Sequence, residues 1–193
     1  REAGDWSEET HDHHHDEHGH GQSDPHLWLS PANAGSIARL VATRLIGADP
    51  VNRQHYEMNL DALLMRIKDL ERTTGTVLTP LQQGKYLVFH DAYQYFEKQF
   101  GLKPVGALAI DPDRPPGARR LTEIKRRIDD AAISCIFTEP QFEPRMVDIL
   151  AVGTDIRVGV LDPLGADLPP GPELYFDLIT NMASALQSCL AGK

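Results

Sequence analysis

From Lys85 onward the chain alternates short apolar runs with longer stretches in which apolar side chains recur every three or four residues. The short runs are Tyr86–Phe89, Val105–Ile110, Ile133–Phe137 and Arg157–Leu161, the length expected of strands buried in a sheet. The helical period covers Asp91–Phe100 before Gly101, Ala118–Ile128 after a Pro-Pro-Gly start, Arg145–Val152 before Gly153, and Leu174–Leu190. Repeated strand–helix units with right-handed crossovers give a parallel sheet flanked by helices on both faces. The fold class is α/β.

Upstream of Lys85 the pattern is helical throughout. Ser30 stands as an N-cap with Pro31 at the first helical position, and Ile37, Leu40, Val41 and Leu45 form an apolar stripe that Gly47 closes. Asp49-Pro50 opens a longer pattern through Tyr56, Leu60, Leu63, Leu64, Ile67 and Leu70. A helix from Val51 to Val77 would measure roughly 40 Å, which suits a strut joining two lobes. The stripe lasts too few heptads to favour a coiled coil. Residues 1–22 hold almost nothing apolar except Trp6, so a missing N-terminal portion is expected.

The 193 residues are 41% hydrophobic and carry a formal net charge of -9. That balance argues against nucleic acid, which needs clustered cations. The local group Arg119, Arg120, Lys125, Arg126 and Arg127 falls at helical spacing among acids and reads as a solvated helix face. No apolar run is long enough to cross a bilayer and no secretory leader is visible, which decides nothing about compartment. Two cysteines, Cys135 and Cys189, in no C-x-x-C arrangement, make a thiolate zinc site improbable and leave buried thiols or one disulfide both open.

Six of the nine histidines, His11, His13, His14, His15, His18 and His20, lie in a tract whose other members are carboxylates and glycine. With nothing to bury, such a segment is expected to be a flexible loop. Imidazole with carboxylate suits zinc, copper or nickel, so several weak metal sites are expected in preference to a tag, a pH-responsive patch or an idle linker.

Polar residues also follow the strands: His90 and Asp91, Asp111, Glu139, and Asp162. Ligands of open parallel sheets bind at the carboxyl ends of the strands, so these side chains are expected to converge on one cleft with N/O ligation for zinc or manganese. Each has an ordinary alternative. His90 could cap the next helix, Asp111-Pro112 and Asp162-Pro163 could start turns, Glu139 could accept a loop hydrogen bond, and His26 could be half-buried. No H-E-x-x-H, G-x-S-x-G or P-loop occurs. Binding is therefore the better reading than catalysis, with a metal-dependent hydrolase using Glu139 as base the weaker one.

Five ordered motifs then carry a resemblance: Asp24-Pro25-His26-Leu27-Trp28-Leu29-Ser30-Pro31, Phe89-His90-Asp91-Ala92-Tyr93, Pro116-Gly117-Ala118-Arg119-Arg120-Leu121, Phe137-Thr138-Glu139-Pro140-Gln141-Phe142 and Leu161-Asp162-Pro163-Leu164-Gly165. From Asp24 to Lys193 the chain resembles the solute-binding proteins of zinc-uptake ABC transporters, in which a long helix joins two α/β lobes. The acidic histidine-rich segment before the Pro-His motif is similar to that of the zinc-specific branch. The resemblance implies a histidine-rich loop at 1–23, a remnant of the N-terminal lobe at 24–50, a linker helix at 51–80 and a C-terminal α/β lobe at 81–193. It implies zinc as transported ligand, held by His26, His90 and Asp162, with Glu139 near the cleft but not a ligand. It also implies a Cys135–Cys189 disulfide, a periplasmic monomer, a membrane permease as partner and a zinc chaperone meeting the histidine-rich loop. The first metal histidine of that family lies upstream, in a lobe this chain does not contain. Manganese or iron binding, or zinc buffering without a permease, are the alternatives.

Overall fold

The computed structural model describes residues 24–109, 117–142 and 145–192. The six tract histidines, Asp111 and the proline-rich start of the third motif lie outside these residues.

Helix α1 (Pro31–Ala48) begins where Ser30 caps it, the Ser30 hydroxyl accepting from Asn33 N at 3.2 Å. Helix α2 (Arg53–Leu78) is 26 residues long, roughly 39 Å at the usual rise. The α/β region then runs β1 (Tyr86–Val88), α3 (Gln94–Phe100), β2 (Gly106–Ala107), α4 (Ala118–Asp130), β3 (Cys135–Thr138), α5 (Arg145–Ala151), β4 (Arg157–Val160) and α6 (Leu174–Leu190). The four strands pair in parallel in the order β2-β1-β3-β4. β2 is much shorter than the expected Val105–Ile110 run.

Because strand side chains alternate between faces, the sheet generates two cores. Tyr86, Val88, Cys135 and Phe137 point to the side covered by α6 (Leu178, Ile179, Met182, Leu186) and the end of α2 (Leu70, Leu78). Leu87, Phe89 and Ile136 point to the side covered by α4 (Ile124, Ile128) and α5 (Val147, Leu150). Helices therefore flank both faces, as expected. Gly159 is fixed by this packing: a Cβ there would come within 2.5 Å of the Phe137 ring.

The apolar stripe Ile37, Leu40, Val41 and Leu45 is exposed, Leu40 at 58% and Val41 at 49%. Helix α1 meets α2 through small residues, Gly35 and Ala42, which permit close approach, and the large residues point away. On α2 only Ile67, Leu70, Thr74 and Leu78 are buried, so its N-terminal half stands beyond the α/β core beside α1. One expectation needs correction: α3 starts at Gln94 and not Asp91. Ala92 N bonds His90 O at 2.9 Å, which makes a tight turn, and Tyr93 takes the N-cap position without a side-chain cap. His90 therefore sits in a loop and caps no helix.

No helix of the described residues is long and apolar enough to cross a membrane. Cys135 on β3 and Cys189 near the end of α6 form a disulfide, with Cα atoms 6.0 Å apart and a sequence separation of 54. Closing a loop of that size removes much unfolded-chain entropy. Replacing both cysteines by alanine should lower the unfolding free energy by about 2–5 kcal/mol, read by denaturant titration; an unchanged midpoint would contradict this.

Candidate metal centre

The register of the sheet builds the first half of the site. Tyr86 pairs with Cys135 and Leu87 with Ile136, so equivalent residues of β1 and β3 are 49 apart. His90 and Glu139 keep that same spacing just past the strand ends, on the face of the pleat shared with Tyr86 and Phe137. Their side chains meet: His90 Nδ1 lies 2.7 Å from Glu139 Oε1. The β1/β3 junction is also where the strand order reverses, the place at which open parallel sheets bind ligands.

The other imidazole arrives on the turn before α1. Asp24 Oδ1 accepts from His26 N at 2.8 Å and lies 2.7 Å from His26 Nδ1. Asp24 is held in turn by α3, with Gln94 Nε2 donating to Oδ2 at 2.6 Å and Tyr95 hydroxyl donating to Asp24 O at 3.2 Å. Trp28 Nε1 donates to Pro163 O at 3.1 Å and Tyr175 hydroxyl donates to Trp28 O at 3.0 Å, which tie the turn to the loop after β4 and to α6.

The His26 and His90 ring centroids stand 5.3 Å apart at an interplanar angle of 64°. Two imidazoles bound to one tetrahedral zinc at about 2.0–2.1 Å through Nε2 would have centroids about 5 Å apart. A carboxylate can only accept, so each neutral imidazole facing one carries its proton on Nδ1 and leaves the Nε2 lone pair bare. The side chain of Glu139 is 1% exposed and that of His90 13%, so their bond is shielded from water and fixes the ring. The second oxygen, Oε2 of Glu139, is buried without a hydrogen-bond partner among the described residues.

Asp162 is placed differently. Cys135 pairs with Arg157, a spacing of 22, so Leu161 is the residue in register with Glu139. Asp162 is one step further along, and one step reverses the face. Its carboxylate accepts from Gln141 Nε2 at 2.8 Å, Leu164 N at 3.0 Å and Ala166 N at 2.5 Å, and so organises its own loop. Among the described residues no three His, Cys, Asp or Glu side chains stand together closely enough to hold a metal unaided. What stands together here is a pair of imidazoles, each with its Nδ1 against a carboxylate.

Tyr93 lies beneath it, with its hydroxyl donating to Leu161 O at 3.2 Å. Burial first, and then the negative charges of Glu139, Asp162 and Glu97, push its phenol well above the ordinary tyrosine range, so it remains a donor. Asp24, Gln94, Tyr93 and Gln141 are partners that sequence reasoning missed. Asp24 had a signal: an aspartate two residues before a histidine can bond that residue's own N–H in a local turn. The rest depend on which strands and helices are neighbours.

The sequence profile described as "Zinc-uptake complex component A periplasmic" (ZnuA) matches residues 2–189. The chain belongs to this family. The high-affinity zinc uptake system protein ZnuA of Brucella suis biovar 1 is 43% identical over 171 residues, 89% of this chain and 51% of the relative. That of Yersinia pestis is 38% identical over 175 residues, 91% of this chain and 55% of the relative. The chain thus spans about half the length of the curated relatives it matches. A crystal structure of ZnuA superposes with a TM-score of 0.77 at 29% identity, covering 87% of this chain and 60% of that one. A Zn(II)-bound mutant variant of AdcAII from Streptococcus pneumoniae gives 0.69 at 28% identity, covering 84% and 60%.

In metal sites of this kind the carboxylate behind the imidazole typically accounts for 10–100-fold in affinity. Glu139→Gln should therefore weaken zinc binding by about 10-fold or more with little change in melting temperature, measured by chelator competition and by circular dichroism. Unaltered affinity would show that the His90–Glu139 bond does not tune the ligand.

Proposed function

We propose that this chain is part of an extracytoplasmic, periplasmic solute-binding protein that captures zinc and delivers it to an ABC-transporter permease in the membrane. The observation that carries this reading is the convergence of His26 and His90, each backed by a carboxylate on Nδ1. Paired imidazoles suit zinc better than manganese, which prefers oxygen ligands. The family membership and the names of the relatives support zinc uptake, and a disulfide fits an oxidising compartment.

Asp162 serves as a further ligand in this proposal, which requires it to give up the amides of Leu164 and Ala166 when the ion arrives. A further histidine comes from chain upstream. Leu40 and Val41 of α1, 58% and 49% exposed, offer an apolar surface on which additional chain of the other lobe packs, with α2 as the connecting strut. The segment 1–23 is an accessory collector through His11, His13, His14, His15, His18 and His20, and the place a zinc chaperone would meet a monomeric carrier.

A hydrolase is disfavoured because Glu139 is engaged on the Nδ1 side of His90, away from where a metal-bound water would stand. Binding without turnover is the better use of this geometry.

Calorimetric titration of the full-length protein, with a chelator present to strip weak sites, should give tight zinc binding that His26→Ala or His90→Ala weakens by about 100-fold or more. Preference for manganese over zinc, or affinity that survives both substitutions, would overturn the assignment.

A further inference from the structure

The ends of β1, β3 and β4 do not come together on a metal alone. They meet around one hydroxyl. Tyr93 is 1% exposed and packed in the α6-side core, and its backbone is fixed at the start of α3, where Glu97 N bonds Tyr93 O at 2.9 Å. Its hydroxyl donates to Leu161 O, the carbonyl of the peptide that leads into Asp162. It also stands beside Glu139, whose Oε1 carries His90. The register explains the meeting: His90, Glu139 and Leu161 occupy equivalent positions on three parallel strands, on the face where Tyr93 lies.

We propose that Tyr93 is a positioning residue of the metal site, its hydroxyl setting where the Leu161–Asp162 peptide stands relative to the Glu139–His90 pair. Asp162 lies on the opposite face of the pleat from His90 by register, so its carboxylate reaches a shared ion only from a loop held in one place. Gln141, two residues after Glu139, bonds Asp162 at 2.8 Å and braces the same corner from β3. Trp28 bonds Pro163 O and braces it from the His26 turn. The Gln141 contact is exposed and the Trp28 contact half-buried, whereas the Tyr93 contact is buried and thus the least yielding of the three. Phenylalanine at this position would keep the ring packing and remove only the donor.

The inference rests on the zinc-site reading and is tested by a double-mutant cycle in the full-length protein. Zinc affinity by chelator competition is measured for Tyr93→Phe, Asp162→Asn and the pair. Tyr93→Phe should lose about 10-fold, and the pair should lose no more than the weaker single variant, because both changes disable the same ligand. With Co(II) as the probe, the visible absorption of Tyr93→Phe should take on the form seen for Asp162→Asn, which a loss of core stability alone would not produce. Multiplying losses, or a Co(II) spectrum identical to that of the parent protein, would overturn the proposal while leaving the histidine site intact. Affinity indifferent to His26→Ala and His90→Ala would instead defeat the site reading beneath it.

Discussion

The adjacency of β1 and β3 is the constraint on which the site depends. Parallel strands in fixed register deliver residues a constant sequence distance apart to the same height and the same face. With partners 49 positions apart, His90 and Glu139 emerge side by side at the point where the strand order reverses. The pair needs no loop designed to join it. A shift of one residue would turn one side chain to the other face and leave an imidazole without its carboxylate. The buried packing that fixes the register, Tyr86 against Phe137 edge-on at 5.7 Å and the Cys135–Cys189 bridge behind them, is therefore also what fixes the His90 imidazole.

His26 reaches the same place by a different device. Its carboxylate partner is local, two residues back, and the whole turn is pinned by side chains from α3 and by Trp28 on the loop after β4. One imidazole is positioned by sheet register and the other by a network of individually modest hydrogen bonds. Each such bond contributes on the order of 1 kcal/mol net, so several are needed to hold one ring. The two routes give rings with the same chemistry, each with its Nδ1 committed to a carboxylate.

Much of this was legible in the sequence. The alternation of short apolar runs and helical periods after Lys85 placed all four strands, and the rule that ligands sit at strand carboxyl ends singled out His90, Asp91, Asp111, Glu139 and Asp162 together. The rule does not say which of them share a face. That requires register, and register separates His90 and Glu139 from Asp162 by a single residue. Ser30 was readable as a cap because capping is local chemistry. The stripe of Ile37, Leu40, Val41 and Leu45 was readable as apolar but not as exposed, since periodicity shows that a face is hydrophobic and not what covers it. Helix α1 has two such faces and satisfies only the one lined by Gly35 and Ala42.

That uncovered face bears on how a carrier of this kind would work. Helix α1, which buries Gly35 and Ala42 and leaves Leu40 and Val41 open, is built to be sandwiched, and α2 extends well past the core it anchors. In the proposed function, the imidazole pair is the preassembled part of the site. Asp162, whose carboxylate must first release the amides of Leu164 and Ala166, and the upstream ligand complete it. A protein that must surrender its ion gains from that division. Two aimed imidazoles give recognition without locking the metal in, and full coordination then depends on contacts that a change in the surrounding chain can undo.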